Sequence, residues 1–347
     1  MSKSQIPNPK SQTGLKTSGS IVHSLWSMVK TIDYRQSTID LWFFFVLGLW
    51  CLVLGILASG CQAEKPLYKE RRLAMGTFVE VISEDKETAE IVFKEIQRIE
   101  NLLSKYNPGS EVFLLNEAGK LETSAETFYV IKKAVEFWEA SNGAFDITVG
   151  PLMDLWGFTT GESTILDREQ IAQTLQNIGS NKISLNESNN VIEFLNSGMK
   201  IDLGGIGKGY AVDCAVKKLR KSKVGTCLIN AGGTVYGLGR KFKDSWMVAI
   251  KNPDQPGTLE QFRLTNQCVA TSGDYEQGGH IMDPRTGYPA DAGLTSVTVI
   301  ARDCLTADAL STAIFVLGKD EGEELLEKFP GVKARLIEKE YLIEKEE

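Results

Sequence analysis

Residues 201–213, IDLGGIGKGYAVD, join an extended segment to the start of a helix through a turn that holds four glycines. Glycine lets the backbone approach a ligand or another element closely, and a helix N-terminus attracts anions. Lys208 adds a full positive charge. The spacing is neither GxGxxG in the dinucleotide register nor GxxxxGK followed by Ser or Thr. From the residues alone, the turn is either a phosphate cradle or a tight turn that packs a helix on a strand.

Hydrophobic periodicity on both sides of this turn predicts a mixture of helices and strands. Apolar residues recur at helical spacing from Val92 to Leu103, and a second helix is expected over about 125–141. Further helices are expected from Gly207 and over about 305–317. Short strands are expected at 77–82, at two places within 183–202, and in a series of segments from Thr226 onward. The acidic C-terminal end is expected to form a helix and a strand.

Strands that come in runs, with few helices between them, favour an α/β fold of the α+β kind, with mixed or antiparallel sheets and packed helices. The pattern does not fit a regular βαβ repeat. Residues 143–158, GAFDITVGPLMDLWGF, are rich in glycine, proline and aromatic residues. We therefore expect strand and loop there, and no helix.

An apolar stretch near the N-terminus predicts export from the cytoplasm. Residues 41–60, which follow Asp40, contain no charged residue and end in small residues directly before Cys61. This is typical of a signal peptide with a lipobox, in which Cys61 receives the lipid. The alternative is an ordinary transmembrane anchor, which needs about 20 apolar residues. Both interpretations place the rest of the chain outside the cytoplasm, and the first attaches it to the cell membrane, most simply the inner membrane on its periplasmic side.

These features divide the chain into four segments. Residues 1–40 form a polar lead that is either disordered or the result of a misassigned start, since Met28 is an alternative first residue. The signal segment 41–60 follows, then a tether over 61–70, and residues 71–347 form the globular domain. With 42% hydrophobic residues in the whole chain, this domain can build a sizeable core.

Charge and cysteine content exclude several classes of function. The net charge is −7, and no block of Lys and Arg is interleaved with aromatic residues, so nucleic acid is not an expected partner. Four cysteines remain after Cys61, widely spaced and without a CxxC pair. That spacing excludes a zinc knuckle and leaves the question of disulfides open.

Histidine is scarce, which makes one position informative. Of two histidines, His23 lies in the polar lead, so the domain keeps only His280, within GGHIMDPRTGYPA. Glycine and proline on both sides predict a loop, where a histidine serves as acid, base or ligand contact. The alternative is an ordinary surface or packed histidine.

A predicted helix carries two oxygen-bearing side chains on one face. Asp308 and Thr312 are four residues apart in CLTADALSTAIFVLG. Such a pair suits a hard cation such as Mg²⁺, which takes its remaining ligands from phosphates and water. The alternative is that both side chains only satisfy backbone groups near the start of the helix.

Aromatic residues and carboxylates within 143–158 offer a second kind of binding surface. Phe145 and Asp146 lie in a segment that could stack a flat heterocycle and fix it by hydrogen bonds, or could fill a core. Met75, before the first strand, and Tyr106, after the first helix, become informative only in combination with the other segments.

Taken in order, eight segments resemble the ApbE family, the FAD:protein FMN transferases. They are listed here: AMGTFVEV, LLSKYNPGSEVFLLN, GAFDITVGPLMDLWGF, IDLGGIGKGYAVD, INAGGTVYGLG, VATSGDYE, HIMDPRTGYPA and SVTVIARDCLTADALSTAIFVLG. The resemblance covers about residues 70–345. It implies a T-fold-like mixed α/β domain that uses FAD as substrate and Mg²⁺ as cofactor. The implied reaction moves FMN onto a Thr or Ser hydroxyl of an acceptor protein as a phosphodiester and releases AMP.

The resemblance also implies roles for individual residues. The expected FAD contacts are Met75, Tyr106, Ala144, Phe145, Asp146, Asp202, Lys208 and Met282. The expected metal ligands are the Gly205 carbonyl and the side chains of Asp308 and Thr312. His280 and Asp308 are the expected catalytic residues, His280 by assisting deprotonation of the acceptor hydroxyl.

Three functions are compatible with this pattern. The first is transfer of FMN to a flavoprotein subunit of an electron-transfer complex that carries a Ser/Thr motif. The second is hydrolysis of FAD to FMN and AMP, with water in place of the hydroxyl. The third is a membrane-tethered flavin-binding protein without catalysis. The identity of the acceptor, the oligomeric state and disulfide pairing do not follow from the sequence.

Overall fold

The structure is a computed structural model that describes residues 44–50, 66–159, 166–251, 257–273 and 279–339. Contacts divide the chain into two units, Met1–Ala63 and Glu64–Glu347. In the first unit, residues 44–50 are helical. Cys61, the polar lead 1–40 and the rest of the signal segment lie outside the described residues. Within the described ranges, no helix has both the length and the hydropathy required to cross a bilayer.

The second unit alternates strands and helices. Its strands are β1 Tyr68–Ala74, β2 Thr77–Ser83, β3 Lys120–Glu122, β4 Ile183–Asn186, β5 Val191–Phe194, β6 Cys227–Ala231, β7 Thr234–Leu238, β8 Trp246–Lys251, β9 Thr258–Leu264, β10 Gln267–Gly273, β11 Leu294–Ala301 and β12 Lys333–Glu338. Its helices are α1 Lys86–Leu103, α2 Glu111–Ala118, α3 Ala125–Ala140, α4 Gly150–Leu155, α5 Arg168–Leu175, α6 Gly207–Lys221, α7 Cys304–Leu317 and α8 Lys319–Glu327.

The strands form antiparallel sheets, which confirms the predicted fold class. Seven strands form the main sheet in the order β1-β2-β6-β7-β10-β11-β12. A three-stranded sheet, β3-β5-β4, and a hairpin, β8-β9, complete the set among the described residues. Every strand pair in these sheets is antiparallel.

Helices α1, α6 and α7 form a layer with the main sheet, and the core lies between them. The four residues that predicted α1, Val92, Ile96, Ile99 and Leu103, are all buried in this core. Asp85 caps the helix by accepting a hydrogen bond from the Thr88 N–H at 2.7 Å. The apolar stripe therefore faces the sheet, as the periodicity predicts.

Two local predictions were wrong. Residues 147–149 form a 3-10 turn and 150–155 form α4, where strand and loop were expected. Pro151 is compatible with this helix because it lies in the first turn, where its missing N–H needs no partner. The second error concerns the tether predicted over 61–70. Strand β1 begins at Tyr68, so the last three residues of that segment belong to the main sheet.

Helices α6 and α7 approach each other closely at one glycine. A Cβ built on Gly209 would lie 2.3 Å from the carbonyl oxygen of Cys304 and 2.8 Å from the Cα of Leu305. Both neighbours are backbone atoms and cannot rotate away. The close contact between the two helices therefore requires glycine at position 209, independently of any role in ligand binding.

Replacing Gly209 by alanine should therefore destabilise the fold. Although alanine favours a helix, the clash forces the helices apart, and overpacking of this kind costs about 1–3 kcal/mol. Urea unfolding of Gly209→Ala would measure the loss. Gly225→Ala is the matched control, because no atom lies within 4 Å of a Cβ at that position. Equal stabilities of the two variants would contradict this account.

Candidate active site

A cleft of about 320 Å³ lies where the β1–β2 turn, the glycine turn, α7 and the loop around His280 meet. Of the predicted site residues, those that line it are Met75, Ala144, Phe145, Asp146, Asp202, Gly205, Lys208, His280, Met282, Asp308 and Thr312. They come from segments more than 200 positions apart in the chain. The fold therefore brings together nearly the whole predicted set.

Two predicted residues are not among the lining residues. Tyr106 is 63% exposed, and its ring lies 5.0 Å from the Lys105 ammonium. Its predicted contact with FAD therefore stays a prediction. Cys61, the predicted lipidation site, lies outside the part of the chain that the structure describes.

The glycine turn satisfies most of its own backbone donors. The Gly204 N–H donates to Asp202 at 2.8 Å, and the Ile206 and Gly207 N–H groups donate to the Leu203 carbonyl at 3.1 and 2.7 Å. A phosphate cradle would need these N–H groups to point at the ligand. The turn therefore works chiefly as a packing turn that places the Lys208 side chain in the cleft.

Asp308 is a buried carboxylate held between α6 and α7. Its Oδ2 accepts a hydrogen bond from the Gly209 N–H at 2.9 Å, and its Oδ1 lies 3.3 Å from the Thr234 hydroxyl and 3.7 Å from the Lys208 ammonium. The helix cap is a different residue, Asp303, which accepts from the Thr306 N–H. Asp308 is therefore not explained as a capping residue.

Thr312 and Gly205 lie next to each other beside this carboxylate. A Cβ on Gly205 would be 3.3 Å from the Thr312 Oγ1 and 3.2 Å from the Phe145 ring. The Thr312 hydroxyl lies 3.2 Å from the Asp308 carbonyl and 3.3 Å from the Ser272 hydroxyl. The three residues of the predicted metal site thus all line the cleft, and a carboxylate with neutral oxygens suits a hard cation.

The Lys208 ammonium already supplies positive charge at this position. It donates a hydrogen bond to the Gly204 carbonyl while it faces Asp308. Across the described ranges, no cluster of three or more His, Cys, Asp or Glu side chains is positioned to hold a metal. The predicted ligand set does not depend on such a cluster, because it uses a single carboxylate.

Asp146 lines the cleft, but internal hydrogen bonds occupy its carboxylate. Oδ1 accepts from the Thr148 N–H at 2.8 Å and from the Thr148 and Ser180 hydroxyls at 2.7 Å, and Oδ2 accepts from the Ser180 N–H at 3.1 Å. Burial raises the pKa of this carboxyl, and these hydrogen bonds oppose the rise. The side chain therefore fixes the cleft wall that carries Phe145.

Lys105 is a site residue that the sequence analysis missed. Its ammonium lies 2.9 Å from Asp202 Oδ2 and 3.2 Å from the Thr159 hydroxyl, in a mostly buried position. Burial would lower the pKa of Lys105, but attraction to Asp202 outweighs burial and raises it. The ion pair fixes Asp202 at the cleft and neutralises its charge. The role of Lys105 depends on its proximity to Asp202, which is distant in the chain and cannot be inferred from the sequence around the lysine.

Asp213, also missed, positions the helix that carries Asp308 and Thr312. Its two carboxylate oxygens accept hydrogen bonds from the N–H groups of Cys304 and Leu305 at 2.8 and 2.9 Å. Burial raises its pKa to about 7, although these N–H groups work in the opposite direction. A carboxylate in the middle of α6 thus caps the N-terminus of α7.

The loop that carries His280 is held at several points. An isolated bridge joins Met282 to Pro289, and the Arg285 guanidinium binds both oxygens of Asp283 at 2.9 Å. The Trp156 indole N–H donates to the Gly287 carbonyl at 2.9 Å. His280 itself is partly exposed and lines the cleft. The histidine therefore directly precedes a braced segment and lines the same cleft as Asp308.

Comparison with known proteins assigns the chain to a family. The sequence profile of the ApbE family matches residues 75–336. The chain belongs to the ApbE family. The matched range contains every predicted site residue except Cys61.

Individual relatives of this ApbE-family chain resemble it over most of their length. A protein of Klebsiella pneumoniae named FAD:protein FMN transferase is 32% identical over 293 residues, which cover 80% of this chain and 91% of that protein. The crystal structure of the ApbE protein of Thermotoga maritima has a TM-score of 0.72 at 37% identity, covering 78% of this chain and 94% of that one. The flavin transferase ApbE of Vibrio cholerae has a TM-score of 0.72 at 27% identity, covering 79% and 94%.

The raised pKa of Asp213 predicts how stability changes with pH. Between pH values of about 4 and 7, the folded protein keeps a proton on Asp213 that the unfolded chain has released. The free energy of unfolding should therefore fall as pH rises through this window, by up to about 1.4 kcal/mol per pH unit from this group.

Chemical denaturation at several pH values would test this by comparing wild type with Asp213→Asn. Because asparagine does not titrate, the free energy of unfolding of the variant should fall less steeply than that of the wild type as the pH rises from about 4 to 7. Parallel curves for the two proteins would show that Asp213 does not titrate in this range.

Proposed function

We propose that this protein transfers the FMN part of FAD to a Thr or Ser hydroxyl of an acceptor flavoprotein. The proposal follows from the relatives named FAD:protein FMN transferase, which match most of the chain. The observation that carries it is the convergence of Asp308, Thr312 and His280 on one cleft. Acceptors of the proposed kind are subunits of electron-transfer complexes with a Ser/Thr motif.

The proposed reaction breaks the phosphoanhydride bond of FAD and forms a phosphate ester with the acceptor. The acceptor oxygen forms a bond to the phosphorus on the FMN side of FAD. The bond from that phosphorus to the bridging oxygen breaks, AMP leaves, and the hydroxyl loses its proton. The site must therefore stabilise negative charge, align the two reactants and accept a proton.

The residues of the cleft supply each of these needs. Lys208 offers positive charge beside the buried Asp308, and His280, on its braced loop, accepts the hydroxyl proton. Phe145 and Met282 are buried apolar side chains that line the cleft and give the isoalloxazine ring a surface on which to stack. The Lys105–Asp202 pair holds the glycine turn, because Asp202 accepts the Gly204 N–H.

We propose Mg²⁺ as the cofactor, held by Asp308, Thr312 and the Gly205 backbone. The donor set, one buried carboxylate and neutral oxygens, fits a hard cation. The Lys208 ammonium, 3.7 Å from the Asp308 carboxylate, shows that this position attracts positive charge. Bound there, Mg²⁺ would neutralise charge on the pyrophosphate oxygens. Because Lys208 faces the same carboxylate, a metal held there would share Asp308 with an ammonium group.

One assay separates the proposed function from its alternatives. The purified protein is incubated with FAD, Mg²⁺ and the flavin-free form of an electron-transfer subunit that carries a Ser/Thr acceptor motif. Covalent flavin fluorescence on the acceptor supports transfer. AMP release at the same rate without acceptor would instead indicate an FAD pyrophosphatase, and FAD binding without either product would indicate a flavin-binding protein.

Asp308→Asn should abolish most of this activity. The amide keeps an oxygen for the Gly209 N–H but loses the charge that a cation requires, so the transfer rate should fall at least about 100-fold. Mn²⁺ binding, followed by electron paramagnetic resonance, should weaken in parallel. Asp320→Asn, at an exposed position on α8, is the control. Normal Mn²⁺ binding by Asp308→Asn would remove this residue from the metal site.

We further propose that lipid on Cys61 anchors the protein on the extracytoplasmic face of the cell membrane, the inner membrane in a cell with two. The lipobox-like end of the apolar segment supports this proposal. Labelled palmitate should be incorporated into the wild type and not into Cys61→Ser. Incorporation into the variant would contradict the anchor.

A further inference from the structure

The β1–β2 hairpin exposes two large apolar side chains beside the cleft. Leu73 is 70% exposed and Phe78 is 53% exposed. They stand opposite each other in the antiparallel register, so both side chains lie on the same face of the sheet. Among large hydrophobic residues described between 66 and 339, Leu73 is the most exposed. We call Leu73, Phe78 and the neighbouring Arg71 the hairpin patch.

The hairpin patch is continuous with the cleft. The next pair along the hairpin is Ala74 and Thr77, followed by the turn of Met75 and Gly76. Met75, Gly76 and Thr77 all line the cleft. At about 3.3 Å per residue, Leu73 lies about 7 Å along the strand from Met75. A segment seated on the patch therefore has only the Ala74–Thr77 pair and the turn to pass before it reaches the cleft.

Charge defines the polar side of this patch. The Arg71 guanidinium stacks over the Phe78 ring at 3.8 Å from the centroid. Glu80, opposite Arg71 in the register, pairs with the Lys69 ammonium at 2.9 Å. Within the described part of the chain, no carboxylate forms an ion pair with Arg71. The patch thus offers apolar surface together with an uncompensated positive charge.

The position of β1 indicates the conformation of the partner. β1 is the outermost strand of the main sheet, so one side of its backbone pairs with no other strand of the described chain. An extended peptide can add to such an edge through backbone hydrogen bonds. An extended segment also exposes a Ser or Thr side chain more readily than a helix packed within a folded protein.

We propose that the hairpin patch docks the extended segment of the acceptor protein that carries the hydroxyl. An apolar side chain of that segment covers Leu73 and Phe78, and a carboxylate faces Arg71. The hydroxyl then lies at the Met75–Gly76 turn, at the entrance of the cleft. This inference rests on the proposed transferase function, and it assigns the recognition of the acceptor to a surface separate from the residues proposed to contact FAD.

The test uses the double variant Leu73→Ser/Phe78→Ser in the full chain. With the flavin-free acceptor subunit as substrate, the KM for the acceptor should rise about tenfold, because buried apolar contacts at the centre of an interface carry most of the binding energy. The kcat and the dissociation constant for FAD, measured by flavin fluorescence, should stay within about twofold. Leu195→Ser is the matched control, since Leu195 is 63% exposed and is not a lining residue of the cleft.

The outcomes separate this inference from the function on which it rests. If the wild type transfers no flavin, the proposed function fails and the docking inference fails with it. If the wild type transfers flavin and the double variant has an unchanged KM for the acceptor, the docking inference alone is wrong. Loss of binding to phosphatidylglycerol vesicles with an unchanged acceptor KM would assign the patch to the membrane and overturn the inference.

Discussion

The structure depends on a reciprocal pair of contacts between α6 and α7. Asp308 of α7 accepts the Gly209 N–H of α6, and Asp213 of α6 accepts the first N–H groups of α7. Each helix thus supplies an aspartate side chain that accepts hydrogen bonds from N–H groups in the N-terminal part of the other. The absence of a side chain at Gly209 is what permits the approach. Because the glycine turn precedes α6, this contact also sets where Gly205 and Lys208 lie relative to Thr312.

Negative charge can be placed at the cleft because each carboxylate there has its own donors. Asp308, Asp202 and Asp146 all line it, yet each is held by specific donors: a backbone N–H, a lysine, and a group of N–H and hydroxyl donors. Buried carboxylates are tolerated only when they are paired in this way. In the proposed function, the cleft takes up an anionic pyrophosphate, so the nearby Lys105 and Lys208 are as important as the carboxylates themselves.

Several features were predictable from the sequence because they depend on local physics. The apolar stripe of α1 and the alternation of β2 reflect side-chain periodicity, and both were confirmed. The antiparallel α+β class followed from the grouping of strands. Residues 147–155 were misassigned because their helical turns depend on the Asp146 cap and on Gly150, where a Cβ would lie 2.7 Å from the Lys200 carbonyl. Local composition does not report the approach of Gly150 to Lys200, which is distant in the chain.

By itself, the sequence determined the motif order that identifies the ApbE family and a set of site residues, nearly all of which line the cleft, because these residue types carry recognisable chemistry. Only the tertiary structure decided what each of them does. It showed that the amides of the glycine turn bond mainly within the turn, that Thr148 and Ser180 occupy the Asp146 carboxylate, and that Lys105 and Asp213 support the site. The physical reason is that hydrogen bonds and ion pairs depend on distances between residues far apart in the chain, and folding sets those distances.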